Sequence, residues 1–238
     1  MSENNPINAT IMQLTATDLD LGDNARLRYV IGDVTARCAT PGCTDDVVKL
    51  HVDAHSGQLR AETVLDRETH SQIDVIVLAI DHGIQPQTGS TIVEIVVDDV
   101  NDHQPTFLST GNSNGGGVGG AMEWAVVENS SVGAVVGRLR AVDGDATPPN
   151  NRVSYYFRSA DGVSGAKFAV DSGTGEVRVV APLDREVVAS YALTAVAVDG
   201  GREGGLSAAQ SLIIRVLDTN DNRPTFVFPT PLNNTVAV

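Results

Sequence analysis

The stretch from Asp98 to Phe107, DDVNDHQPTF, returns near the end of the chain as LDTNDNRPTF, Leu217 to Phe226. Each copy follows an alternating apolar run: Val93, Ile95 and Val97 before the first, Leu212, Ile214 and Val216 before the second. A period of two marks a strand with one buried face, so each copy reads as a strand running into an acidic turn. Pro105 and Pro224 then end the ladder, because proline has no amide hydrogen to donate. The acidic turn is thus a boundary between two strand-rich units.

Repetition extends well beyond that turn. Glu3, Asp18, Asp20, Asn24 and Tyr29 return as Glu128, Asp143, Asp145, Asn150 and Tyr155. LDRE at Leu65 to Glu68 returns at Leu183 to Glu186, and Asp81 of AIDHG matches Asp199 of AVDGG. The interval between copies shortens across Cys38 to Cys43, which marks that segment as an insertion in the first copy. Between the acidic points lie short alternating runs, Ile73, Val75, Val77 and Ala79 in one copy and Tyr191, Leu193, Ala195 and Ala197 in the other. Turn signals such as HSGQ at 55–58 and DSGTGE at 171–176 separate the strands, and no long stretch has helical period. The expected architecture is an all-β tandem.

A length of 238 residues suits two domains of ordinary size, and 42% hydrophobic residues suffice for real cores. A net charge of -14 opposes nucleic-acid binding, which needs basic stripes, and points to cations. Scattered carboxylates would make only a solvated face, but these are gathered into recurring motifs. No apolar run approaches the ~20 residues of a membrane helix, and no charged-then-apolar leader precedes Ser2. A secreted or anchored parent would make this an internal fragment.

Cys38 and Cys43 flank Pro41 and Gly42, which can turn the chain back and bring the two thiols within bridging range. A small disulfide is expected, with two free thiols as the alternative. Zinc needs about four ligands, and none of the five histidines is paired near these cysteines. The tract Gly111 to Gly120 reads as an exposed, flexible insertion; a phosphate loop would require a following helix, and WAVVEN is a strand. Sequons at Asn8, Asn129 and Asn233 fit a secreted, glycosylated surface.

Two sharper chemistries fail on the residues. Asp18, Asp20 and Gly22 begin like an EF-hand loop, but the twelfth position is Tyr29 here and Ser154 in the second copy, where a bidentate Glu is needed. Paired carboxylates also hydrolyse glycosides, yet 4% aromatic content offers no sugar platform and no nucleophile motif is present, so no enzymatic activity is expected.

Taken together and in order, the Glu of the EN pair, DxD, LDRE, the Asp of DxG and the DxND turn before proline resemble the extracellular repeat of the cadherin superfamily, twice over and across residues 3–238. The resemblance implies tandem seven-stranded Greek-key β-sandwiches of immunoglobulin-like form. It places one repeat at 1–104 with most of its first strand missing, a second at 105–222, and the opening strand of a third at 223–238. It also implies calcium (Ca2+) between successive repeats, three ions at the one complete junction. Their ligands would be Glu3, Asp66, Glu68, Asp99, Asn101, Asp102, Asp143, Asp145 and Asp199, with carbonyls of Val100, His103 and Asn150.

The family's linker ends NDN where this chain has NDH, but that position is expected to give only its carbonyl, so His103 is read as a harmless departure. Calcium takes six to eight oxygens, and unit charges about 4 Å apart repel by roughly 4 kcal/mol at an effective dielectric near 20. The junction should therefore splay without the cation and stiffen with it. Two incomplete half-sites follow from the same motifs: Asp18, Asp20, Asn24 and Asp81 at the top of the first repeat, and Glu128, Asp184, Glu186, Asp218, Asn220, Asp221 and Asn222 at the far end.

The implied function is calcium-dependent cell-cell adhesion by the ectodomain of a membrane-anchored parent on the extracellular face of the plasma membrane. Its partners would be other cadherins on an apposed cell, homophilic or heterophilic. Trp124, inside the second repeat, is expected to pack in the core rather than exchange strands, and the insertions favour a long cadherin of protocadherin, Fat, Dachsous or tip-link kind. The alternative is a calcium-independent immunoglobulin- or fibronectin-like spacer.

Overall fold

The computed structural model describes residues 1–39, 48–108, 120–158, 166–202 and 204–226. Cys43, Asn233, most of the glycine tract and nearly all of the expected third-repeat strand lie outside the described residues.

In the first copy, β1 (Ala9–Gln13), β3 (Leu50–Val52) and β4 (Gln58–Ala61) form one antiparallel sheet in the order β1-β4-β3. Strands β2 (Arg28–Cys38), β5 (His70–Ile80) and β6 (Thr88–Val96) form the other, in the order β2-β5-β6. Alternation sets the faces. Ile73, Val75 and Val77 of β5 and Ile95 of β6 are buried, and they meet Leu59, Leu65, Val52, Val97 and Tyr29 in one core. Each fully buried aliphatic side chain contributes roughly 1.5–3 kcal/mol of transfer free energy. A single parallel bridge, Ser2 to Asp98, ties the chain's start to the end of β6.

The second copy contains β7 (Thr106–Phe107), β8 (Met122–Val127), β9 (Val135–Arg138), β10 (Ala141–Val142), β11 (Ser154–Arg158), β12 (Phe168–Val170), β13 (Glu176–Val179), β14 (Ser190–Val198) and β15 (Ser207–Leu217). The sheets are β11-β14-β15-β8 and β12-β13-β9, with β10 pairing β7. Strands β9 and β10 lie along one chain direction, interrupted at Leu139 and Arg140, and β8 runs parallel to β15. Among the described residues the first copy has six strand segments and the second nine. Tyr191, Leu193, Ala195, Ala197, Leu212, Ile214 and Val216 are buried as their alternation predicts. Phe168 meets Tyr191 edge-on at 5.3 Å. Trp124 is half-buried; its indole lies over Gly137 of β9, where a Cβ would come within 2.9 Å of the ring.

The described chain divides into two compact units. The first is Met1–Leu108 with Ala141–Ser154 and Ala197–Ala208; the second is Ser109–Arg140 with Tyr155–Val196 and Ala209–Val238. Loops of the second copy that carry Asp143, Asp145, Asn150 and Asp199 therefore belong to the first unit, beside the linker. Cys38, at the end of β2, is disulfide-bonded.

Candidate metal centre

The site begins where β6 stops. Beyond the bridge at Asp98 the backbone leaves the sheet, and Glu3 is held against the turn that follows. Its Oε1 accepts the Val100 N–H at 2.7 Å and its Oε2 accepts the Arg67 N–H at 2.7 Å. Glu3 is only 4% exposed, so this double acceptance fixes a buried carboxylate between LDRE and the linker. Asp66 closes the turn of LDRE by accepting from the Glu68 and Thr69 N–H groups and the Thr69 hydroxyl. Desolvation works to raise its pKa, but the Thr69 hydrogen bonds outweigh it and hold the carboxyl below its usual range.

The linker acids fasten onto loops of the second copy. Asp99 Oδ1 accepts the Ala146 N–H at 3.1 Å, and its Oδ2 accepts from Thr147 Oγ1 at 2.6 Å and Asn150 Nδ2 at 3.0 Å. Asn101 Nδ2 donates to Asp199 Oδ1 at 3.2 Å. Asp199, just past β14, is 5% exposed and also accepts the Gly201 and Leu206 N–H groups. Asp143 Oδ1 accepts the Asp145 N–H at 2.9 Å, the local turn that the DxD spacing permits.

His103 does more than a carbonyl ligand would. Its ring Nδ1 stands 2.7 Å from Asp102 Oδ1 and 3.1 Å from Asp145 Oδ1, and its N–H also donates to Asp145. Burial opposes the charged ring, yet the Asp145 hydrogen bond and the Asp102 charge prevail and raise its pKa. The imidazole fits because residue 144 is glycine: a Cβ there would lie 2.6 Å from His103 Cδ2. The first copy carries Leu19 at the matching position. In the second linker Asn222 Nδ2 donates to Asp221 Oδ1 at 2.8 Å, so the histidine and the asparagine hold the preceding acid in the same way.

Three groups of ligand atoms lie within 4.8 Å of one another in this unit: Glu3, Asp66 and Glu68; Glu68, Asp99 and Asp145; Glu68, Asp102 and His103. Glu68 belongs to all three. Its desolvation and the Glu3 charge push its pKa up to about 7. Desolvation likewise raises Asp145, which is 4% exposed. Four buried side-chain oxygens of the expected ligand residues, Glu68 Oε1, Asn101 Oδ1, Asp143 Oδ2 and Asp145 Oδ2, have no hydrogen-bond partner among the described residues. Leaving one such group unsatisfied costs about 1–3 kcal/mol, so their recurrence among these residues calls for a positive ligand. Hard oxygen donors at this density fit calcium or magnesium rather than a thiolate-seeking metal. Asp143 and Asp199 lie outside the three groups, and Asn150 reaches the cluster through its side-chain amide.

The far end repeats the frame. Glu128 accepts the Arg185 and Thr219 N–H groups at 2.8 and 2.6 Å, as Glu3 accepts those of Arg67 and Val100, and these bonds lower its pKa. Glu128, Asp184 and Glu186 form a fourth close group, while Asp218 meets Arg185 at 3.5 Å. At the top of the first copy, Asp18 caps the Asp20 N–H, and buried Asp81 accepts from Gly83 and Gln87 as Asp199 does from Gly201 and Leu206. Asp20 and Asn24 are exposed there, and no ligand group closes around them among the described residues.

A family model for the cadherin domain matches residues 1–98 and 123–217. The chain belongs to the cadherin family. It is 32% identical over 226 residues to human cadherin EGF LAG seven-pass G-type receptor 1, which covers 95% of this chain and 7% of that protein. It is 34% identical over 229 residues to human protocadherin-16, covering 96% of the chain and 6% of the relative. Among solved structures, mouse cadherin-23 EC22-24 superposes with a TM-score of 0.75 at 27% identity, over 93% of this chain and 63% of that one. The protocadherin gammaB4 extracellular domain gives 0.76 at 28%, over 91% and 32%. The chain thus spans less than a tenth of the curated relatives. Cadherin repeats are generally calcium-binding.

Motif reading alone missed the residues that hold the expected ligands: Thr69 on Asp66, Thr147 on Asp99, Gly144 beneath His103, and Asn4 and Asn129 on the linker acids. Only the last pair left a signal, since asparagine follows the buried glutamate in both copies.

Proposed function

We propose that this chain is an internal stretch of a calcium-dependent cell-adhesion ectodomain, in which calcium stiffens the joint between repeats 1–104 and 105–222. The four partnerless buried oxygens, all in the expected ligand set, carry this reading. Glu3, Asp66, Glu68, Asp99, Asn101, Asp102, Asp143, Asp145 and Asp199, with carbonyls of Val100, His103 and Asn150, would hold three ions. Bound calcium would supply the positive charge that turns mutual repulsion of these carboxylates into shared attraction. The chain's own residues do the rest: Glu3 locks the linker to LDRE, and Asp99 and Asn101 clasp the loops of the second repeat.

The parent is read as a membrane-anchored protein that displays this stretch on the extracellular face of the plasma membrane and meets other cadherins on an apposed cell. Exposed Asn8 carries carbohydrate in this reading, and Cys38 is bridged to Cys43. Binding and mechanical support, not catalysis, is the role.

Thermal unfolding with and without about 2 mM calcium tests it. For a dissociation constant near 10⁻⁴ M the gain is roughly 2 kcal/mol, or about 5–10 °C in melting temperature. Asp102→Ala should remove most of that gain, and small-angle scattering should show the unmodified particle lengthening with calcium. No change in either quantity favours the plain spacer.

A further inference from the structure

We infer that Asn4 and Asn129 are positioning residues for the linker carboxylates Asp102 and Asp221, a role that rests on the calcium reading above. Both asparagines follow the buried glutamate, and both have a left-handed backbone with φ of 56°. That conformation is tolerated by asparagine and glycine and strained for most other residues. It aims the two ends of one residue at two motifs. The Asn4 N–H donates to the Leu65 carbonyl of LDRE at 2.9 Å while its Nδ2 donates to Asp102 Oδ2 at 2.5 Å. Asn129 repeats both contacts, to the Leu183 carbonyl at 3.2 Å and to Asp221 Oδ2 at 2.6 Å.

The other oxygen of each acid is held from the opposite side, Asp102 Oδ1 by His103 and Asp221 Oδ1 by Asn222. Each linker acid is therefore gripped on both oxygens, Asp221 by two amides and Asp102 by one amide and the His103 ring, which fixes how the carboxylate is oriented. Asp102 belongs to one of the close ligand groups around Glu68, so its orientation sets how the cation site closes. Two independent copies with the same geometry make a chance contact a poor account. The second copy adds a consequence: the amide nitrogen of Asn129 is also the acceptor nitrogen of the Asn129-Ser130-Ser131 sequon, and a glycan there would stand on Asp221.

Asn4→Gly is the clean variant, because glycine keeps the left-handed backbone and loses only the amide. Calorimetric calcium titration should show affinity about tenfold weaker, the scale of losing a residue that orients a metal ligand. Melting temperature in EDTA should stay unchanged, and Asn4→Gly with Asp102→Ala should bind no more weakly than Asp102→Ala alone. Unchanged calcium affinity in Asn4→Gly, or a loss of EDTA stability with affinity kept, overturns the assignment while leaving the calcium reading intact. Absence of binding by the unmodified protein overturns both. For the second copy, glycopeptide mass spectrometry of protein secreted by eukaryotic cells should find carbohydrate at Asn8 and none at Asn129; a glycan on Asn129 contradicts its assignment.

Discussion

Glu68 shows how single residues make this centre responsive. Its pKa is pushed up to about 7 in the cation-free protein by desolvation and by Glu3. A raised folded-state pKa adds stability that is complete below the ordinary value of 4.5 and is lost as pH rises through about 7. In chelator, the melting temperature should therefore fall from about pH 5 to about pH 8, and Glu68→Gln should flatten that slope. A flat slope in the unmodified protein contradicts it. The His103–Gly144 contact is equally specific. Gly144→Leu, which installs the residue of the first copy, should displace the imidazole and weaken calcium binding by about 10–100-fold. Adding His103→Asn should restore it, and no rescue would mean that the ring is not what the leucine strikes. The carboxylates were legible because they recur in fixed order. The groups that hold them were not, since Thr69 and Thr147 lie in no repeated pattern and act through turns that only the folded backbone defines.

Strands were the most legible elements, because one buried face forces alternation: Ile73, Val75 and Val77 and Leu212, Ile214 and Val216 all face inward. The breaks between strands were not legible. The interruption of β9 and β10 at Leu139 follows from a contact distant in sequence, its N–H donating to the Gly175 carbonyl of the β12–β13 turn. That turn and its counterpart between β3 and β4 share a left-handed glycine. Gly57 has φ of 73°, and a Cβ on it would lie 2.7 Å from the Leu14 carbonyl and 2.9 Å from Tyr29. Gly175 has φ of 71° and sits likewise against Leu139 and Tyr155. Gly57→Ala should cost about 1–3 kcal/mol in left-handed strain alone, visible as a lower urea midpoint with unchanged slope. A midpoint equal to that of the unmodified protein would mean the turn adapts freely.

At the scale of the molecule, a net charge of -14 is unfavourable for compactness unless it is used. Much of it is concentrated in a few motifs, and the complete set gathers within one compact unit. The repeat count and the order of motifs were readable from sequence, since both copies are present. The resemblance also put second-copy loops beside the first linker, but not the hydrogen bonds that hold them there, which Asp99 accepts and Asn101 and His103 donate. The most direct measurement is native mass spectrometry of the chain titrated with calcium, alongside Asp145→Ala. Three calcium ions on the unmodified chain, reduced in the variant, is the predicted result; a chain that takes up none at millimolar calcium contradicts the account.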